Sequence, residues 1–533
     1  MEQRISRKGA KGAKKHLAFA RPISFPVFAP LRLCVSLFLA ISLLTVNTFS
    51  SPLSRTSNAP RLSAADESFL EDLSRRSFRY FLEQTHPDTG LTLDRARTDG
   101  SIHNENQRHT ASIAATGFGL TALCIAAERG WITSEAARAR VRTTLRFFAG
   151  RAPHERGWFY HWMDWRNGER RWQSELSSID TALLLNGMLT ARGYFRHDRE
   201  IVRLATVIYE RIDFRWILNG HPTLLSHGWY PDRGFIKHRW DTYSEQLSLL
   251  LLAIGSPAHP ITPGAWRAWE RKRITYANFT YMHAHPPLFI HQYSHAWVDF
   301  RNRRENWYPF TDYFENSVKA THAHKAFCLD LSDEFPGYTE NVWGITASDS
   351  AKGYVAWGGP PRHPRIDGTV VPCAAGGSLM FTPDIALPAL RTMRERYGER
   401  IYGRYGFTDA FNPNTGWVNP DVIGIDIGIT LLSAENLRTG NVWRWFMRNE
   451  EIPRAMRLVG LEKQKGRKTE APAPRLSVSP SPLLPFSTSP LLLSLPLRLL
   501  FFHARPGVLH VLIEPVEHFV QNMFGRFARG VAV

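Results

Sequence analysis

The sequence predicts an all-α fold, a double-layered helical toroid, and three observations carry that expectation. Between residues 66 and 450, apolar residues recur near a 3.6-residue period in about ten separate stretches. Some stretches are apolar on most faces and others are amphipathic, the mixture expected of inner helices ringed by outer ones. No strand–helix alternation, no GxGxxG after a strand and no Walker loop occurs, which disfavours a nucleotide-binding α/β enzyme.

Taken in chain order, residues 1–60 read as a signal peptide and linker. A Lys/Arg-rich start precedes the apolar run Leu33 to Leu44, then small polar residues and Pro60. That run is short for a membrane span, so export to the periplasm or medium is expected, with an uncleaved anchor as the alternative. Residues 66–84 (DESFLEDLSRRSFRYFLEQ) open the helical block, with Asp66 as N-cap and Phe69, Leu70, Leu73, Phe78 and Phe81 on one face. Further helices are expected at 111–128, 134–149, 177–192, 198–212, 243–254, 264–278, 382–397 and 422–437. IDTALLLNGMLTA and EQLSLLLLAIG should be inner helices; SEAARARVRTTLRFFAG should be an outer one. Loops rich in Gly, Pro, Trp, His and Tyr separate them at 151–172, 220–240, 279–310 and 335–375. The block closes near 461. Residues 462–533 read as a disordered low-complexity tail of Ser-Pro-Leu units, with a short amphipathic helix near Pro515–Phe527.

Composition narrows the function. With 43% hydrophobic and 12% aromatic residues, the 533-residue chain can build a large core. Its formal charge of +18 hints at nucleic acid, but residues 1–33 hold +7 and 462–533 hold +5. About +6 remains for the helical block, with no basic stripe, so nucleic acid is not an expected partner. Cys34, Cys124, Cys328 and Cys373 form no CxxC and no disulfide framework; Cys124 should be a buried free thiol. No metal or cofactor is expected, and a monomer is.

Candidate chemistry concentrates in the aromatic loops. Residues 154–187 hold Trp158, Phe159, Tyr160, Trp162, Trp165 and Trp172, followed by Glu175 and Asp180 at the start of an apolar helix. Aromatic planes beside carboxylates suit a sugar, whose rings offer apolar C–H faces and whose hydroxyls bond to charged groups. Glu175 also fits a helix-capping role; Asp180 leads straight into TALLL, where an unpaired carboxylate is costly. Residues 227–257 add His227, Trp229, Arg239, Trp240 and Tyr243, with Glu245 opening another apolar helix or pairing with Arg239. Two carboxylates at the mouths of two helices are what glycoside hydrolysis requires. His291 and His295 stand at the spacing of one helix face, without the glutamate of HExxH, and sugar or structural hydrogen bonds are expected of them rather than metal. Trp297, Arg301, Trp343 and Asp426 extend the polar–aromatic surface.

The motifs GWFYHWMD, SELSSIDTALLLNG, HGWYPDRGF, HQYSHAWVDFR, WGITASD and GIDIGITLLSAEN resemble the bacterial glycoamylase-like family over about residues 66–450. The resemblance implies an (α/α)6 barrel as a catalytic domain over 61–461, kinship with glycoside hydrolase family 144, and inverting, metal-independent cleavage of β-1,2-glucan at the barrel mouth. Carried over by motif, Asp180 and Glu245 become the acid/base candidates, with Glu175 third and the two roles open between them. A carbohydrate-binding protein without catalysis and a barrel lyase or epimerase using His291, Tyr293 and His295 are the alternatives.

Overall fold

Helix α1, Ala64–Glu83, begins at Ser63, whose hydroxyl accepts the Asp66 backbone N–H and donates to the Asp66 carboxylate. The cap is thus Ser63, and Asp66 is its partner three residues on. The computed structural model describes residues 62–283 and 287–464. The export segment, Cys34, the Ser-Pro-Leu tail and the helix near Pro515–Phe527 lie outside the described residues. Among the described residues, no helix is long and apolar enough to cross a membrane.

The expected two layers are present. Helices α2 (Ile113–Glu128), α3 (Ser134–Gly150), α4 (Ser178–Tyr194), α5 (Arg199–Arg211) and α6 (Leu247–Gly255) alternate between buried and amphipathic. They are followed by α7 (Tyr313–Asp330), α8 (Pro383–Tyr397), α9 (Gly424–Arg438) and α10 (Glu451–Leu458). The inner ring closes on itself. α2 packs on α4, α4 on α6, and α6 on the single turn Tyr293–Trp297. Gln292, just before that turn, donates to the carbonyl of Ala374 in the turn Pro372–Gly376. That turn packs on α9, and α9 returns to α2. Outside it, α1 lies on α9 and α2, α3 on α5, and α10 on α6.

The crossing of α2 and α4 has no side chain in it. A Cβ on Gly187 would stand 2.0 Å from the carbonyl oxygen of Gly117, and one on Gly117 would stand 2.3 Å from that of Leu183. Only glycine permits this backbone approach.

Three differences from the sequence reading have physical causes. Residues 264–278 are no helix: a 3-10 turn, Pro263–Arg267, leads into a hairpin pairing Arg273–Tyr276 with Phe279–Met282. Ala277 and Asn278 take φ of 46° and 68° at its tip, so the alternation of RITY and FTYM marks strands. α7 has no helical signal because its buried face carries Asn316, Ser317, Thr321, His324 and Lys325. The loops are not irregular throughout, since strands of two to four residues pair within them. Thr110–Ser112, Leu176–Ser177 and Asp421–Ile423 run directly into α2, α4 and α9. These strands gather the N-terminal ends of three inner helices at one mouth.

Candidate active site

At that mouth lies a pocket of about 830 Å³ including its open entrance. Its walls include Ile179, Leu183 and Phe289, and its polar groups include His161, Asp180, Glu245 and Asp426. Asp180 and Asp426 sit in the first turns of α4 and α9, and Glu245 stands two residues before α6. Helix starts favour negative charge, which is one reason a carboxylate can be kept at each.

Asp180 belongs to the cap of its helix. The Ser177 hydroxyl accepts its backbone N–H at 3.1 Å and donates to its carboxylate at 2.6 Å. Burial lifts its pKa, against the pull of His161 and of the Ser177 hydroxyl. The capping role expected of Glu175 therefore falls to Ser177, with Asp180 as its partner three residues on. Glu175 is not on the helix at all; it precedes the strand Leu176–Ser177, and its Oε1 lies 2.9 Å from His161 Nδ1. The two carboxylates converge on one imidazole, because His161 Nε2 is 3.5 Å from Asp180 Oδ1.

Glu245 is 5% exposed and bonded by the Ser244 hydroxyl. Burial pushes its pKa up to about 7, against that hydrogen bond, and the nearby Asp180 adds to the rise. A carboxylic acid at this value can hold a proton near neutrality and release it. Arg239 is not its partner: that guanidinium donates to the carbonyls of Leu218 and Leu224 and ties down a loop.

Across the pocket, Asp426 meets Asp409 at hydrogen-bond range in a buried wall, with Cys373 alongside. Asp426 Oδ2 and Asp409 Oδ1 are buried without other bonding partners, so one proton shared between the carboxyls satisfies both. Burial raises both above the usual carboxylate range.

The other expected site residues divide into two groups. His227 and Trp240 line a neighbouring groove that shares Ile179 with the pocket and is also lined by Glu175. Their rings stack 4.0 Å apart, and the Trp240 indole donates to Ser178. The remainder are structural. Trp158, Trp297 and Trp343 have no exposed surface, and the first two indoles donate to Asp213 and Thr121. Trp229 leans on Trp216 from its short strand. Tyr243 packs between His291 and Tyr313, and Arg301 bonds Asp299 over the face of Trp443. His291 and His295 lie on a 3-10 turn and the single turn after it, not on one helix face. Burial lowers the pKa of both, His295 to about 3, so they serve as neutral core groups. Of the trio considered for a lyase, only Tyr293 lines the pocket.

The sequence reading missed His161, Asp94 and Arg95, which all line the pocket. His161 stands inside GWFYHWMD, where nothing local distinguishes it from a structural histidine among aromatic residues. Arg95 reaches Asp349 at 2.7 Å and Asp421 at 3.5 Å, and only the fold brings those acids near it. His161, Glu175 and Asp180 have the donor types of a metal site, with one atom of each within 4.8 Å of the others. The short His161–Glu175 bond instead supplies each group with a partner inside the protein.

Residues 237–450 match the family described as Glycoamylase. The chain is 28% identical over 444 residues to an exo β-1,2-glucooligosaccharide sophorohydrolase (non-reducing end) of Parabacteroides distasonis, covering 76% of this chain. It spans 60% of the length of that curated relative. An endo-β-1,2-glucanase from Chitinophaga pinensis, solved with sophorotriose and glucose, superposes with a TM-score of 0.68 at 26% identity over 75% of this chain and 99% of that one. A β-1,2-glucanase from Parabacteroides distasonis gives 0.66 at 26% identity, covering 75% of this chain and 60% of its own.

Proposed function

We propose that the protein is an exported glycoside hydrolase that cleaves β-1,2-linked glucan by two-carboxylate acid/base hydrolysis with inversion. The observation that carries this reading is Glu245: a buried carboxyl group, raised to about 7, in the same pocket as Asp180. Glu245 donates the proton to the leaving glycosidic oxygen. Asp180 is the base that activates water, held as a carboxylate by the Ser177 hydroxyl and the His161 ring. Trp162 in the pocket wall and Trp240 in the neighbouring groove supply aromatic surface. The substrate linkage follows from the enzymes that the chain resembles; export follows from residues 1–60.

A second assignment of the base has its own observation. Asp426 lines the same pocket, and the pair it forms with Asp409, sharing one proton, keeps one negative charge that can take a proton from water. The reaction class is unchanged by that choice.

The test incubates the protein with linear β-1,2-, β-1,3-, β-1,4- and α-1,4-glucans and follows new reducing ends. Release from β-1,2-glucan alone is expected. Glu245→Gln should lower kcat by roughly a thousandfold, the scale of a lost general acid. Asp180→Asn and Asp426→Asn, measured side by side, rank the two candidate bases. Binding of β-1,2-glucan without new reducing ends would instead establish a non-catalytic carbohydrate-binding protein.

A further inference from the structure

Resting on that reading of the pocket, we infer that His161 is a positively charged positioning residue. It bridges Glu175 and Asp180 through both ring nitrogens and thereby keeps Asp180 ionised while substrate is bound. The inference begins with a count of protons. A neutral imidazole carries one N–H and can donate to one neighbour. His161 presents Nδ1 to Glu175 Oε1 at 2.9 Å and Nε2 to Asp180 Oδ1 at 3.5 Å. With both neighbours ionised, a neutral ring would turn a lone pair toward one carboxylate, and that contact is repulsive. A doubly protonated ring donates to Glu175 and turns its second N–H toward Asp180 as an ion pair.

The surroundings favour the charge. The ring stacks on Trp162 with centroids 3.6 Å apart and planes 11° from parallel, an arrangement in which an aromatic face stabilises a cation. His161, Glu175 and Asp180 are 4%, 5% and 8% exposed, so water screens their attraction weakly. Burial alone would discharge the ring, but Asp180 and Glu175 together hold its pKa at about 9, with Asp94 contributing. The other charged or titratable groups lining the pocket are Arg95, beside Asp94, and Glu245, Asp426, Tyr293 and Tyr354.

The chemical consequence concerns Asp180. Its burial and the nearby Glu175 both push it toward the neutral acid. A protonated Asp180 cannot take a proton from water. The ring counteracts both effects from 3.5 Å, and Glu175 fixes its orientation from the far side. His161 touches no reacting atom in this scheme; it acts through Asp180.

Two measurements test the inference. The first is the ring nitrogen spectrum of protein labelled with 15N-histidine, His161 being assigned by its absence in His161→Gln. Signals of a doubly protonated ring are expected at pH 7.5, giving way to a neutral ring in Asp180→Asn. A neutral His161 in the unmutated protein at that pH overturns the proposal. The second is the pH profile of kcat/KM on β-1,2-glucan. In His161→Gln the acidic limb should move up by about one unit or more, the scale for loss of an adjacent opposite charge. That shift lowers kcat about tenfold on the limb, with KM changed less. His161→Lys, which restores a cation, should bring the limb part of the way back. An unmoved acidic limb in a variant that unfolds at the normal temperature overturns the proposal. If the unmutated protein cleaves no glucan, the reading of the pocket fails, and the nitrogen spectrum still decides the charge of His161.

Discussion

Glu245 ties catalysis and stability to pH in the same direction, both favoured by its protonated form. As the proposed proton donor it must be protonated, so kcat should decline as pH rises through about 7. Its folded pKa lies above the ordinary glutamate value of 4.5, so between those values the folded protein binds more protons than the unfolded chain. Its contribution to stability is therefore intact below about 4.5 and is lost as pH rises through 7. Glu245→Gln cannot ionise and escapes that loss. The variant should be nearly inactive yet melt a few degrees higher than the parent at pH 8, with little difference at pH 4 (roughly the scale of a 1–2 kcal/mol change). A variant melting lower at pH 8 would show that the carboxylate is compensated in a way the buried geometry does not contain. Arg239 offers the contrasting case. Its guanidinium serves backbone carbonyls of one loop, so Arg239→Met should lower the melting temperature and leave the pH profile of hydrolysis in place.

At the scale of elements, legibility tracked the chemistry of the buried face. α2, α4 and α9 were visible because an inner helix is apolar all round, and their boundaries fall within two residues of the expected ones. α7 was hidden by its own polar interior, in which Ser317 bonds His291 and His295, and Asn316 bonds the backbone of Met282. The site was legible to the extent that a carboxylate interrupts an apolar helix start: Asp180, Glu245 and Asp426 were all found that way. Aromatic content misled. Trp158, Trp297 and Trp343 resemble sugar platforms in sequence, but each fills space between helices, and no local pattern separates the two uses. His161 needed the fold, since Glu175 lies 14 residues away in the chain and meets it only because the strand Leu176–Ser177 turns back. The α2–α4 crossing provides a test of packing at this scale. Gly187→Ala inserts a methyl group where the backbone of Gly117 already stands, and should destabilise by about 2 kcal/mol or more, measured by chemical denaturation. Ala at Gly150, with open space around it, should be tolerated.

Over the whole molecule, the formal charge of +18 belongs mainly to the two ends, and the helical block carries about a third of it. Polyanion binding is thus expected to disappear on removal of the ends, while glucan hydrolysis by the block persists; heparin retention and reducing-end assays separate the two. The inner ring is uneven around its circumference. One arc consists of Tyr293–Trp297, five residues long, joined to its neighbour through the Gln292 side chain and to α2 through the Trp297–Thr121 hydrogen bond. A closed hoop under thermal strain yields where its section is thinnest. Amide hydrogens of residues 288–297 should therefore exchange with deuterium through local openings well below the melting temperature, whereas those around Gly117 and Gly187 should exchange only with global unfolding. Heat would then open the pocket from the wall that carries Phe289 and Tyr293, leaving the start of α4, and Asp180 with it, among the last parts to lose their order.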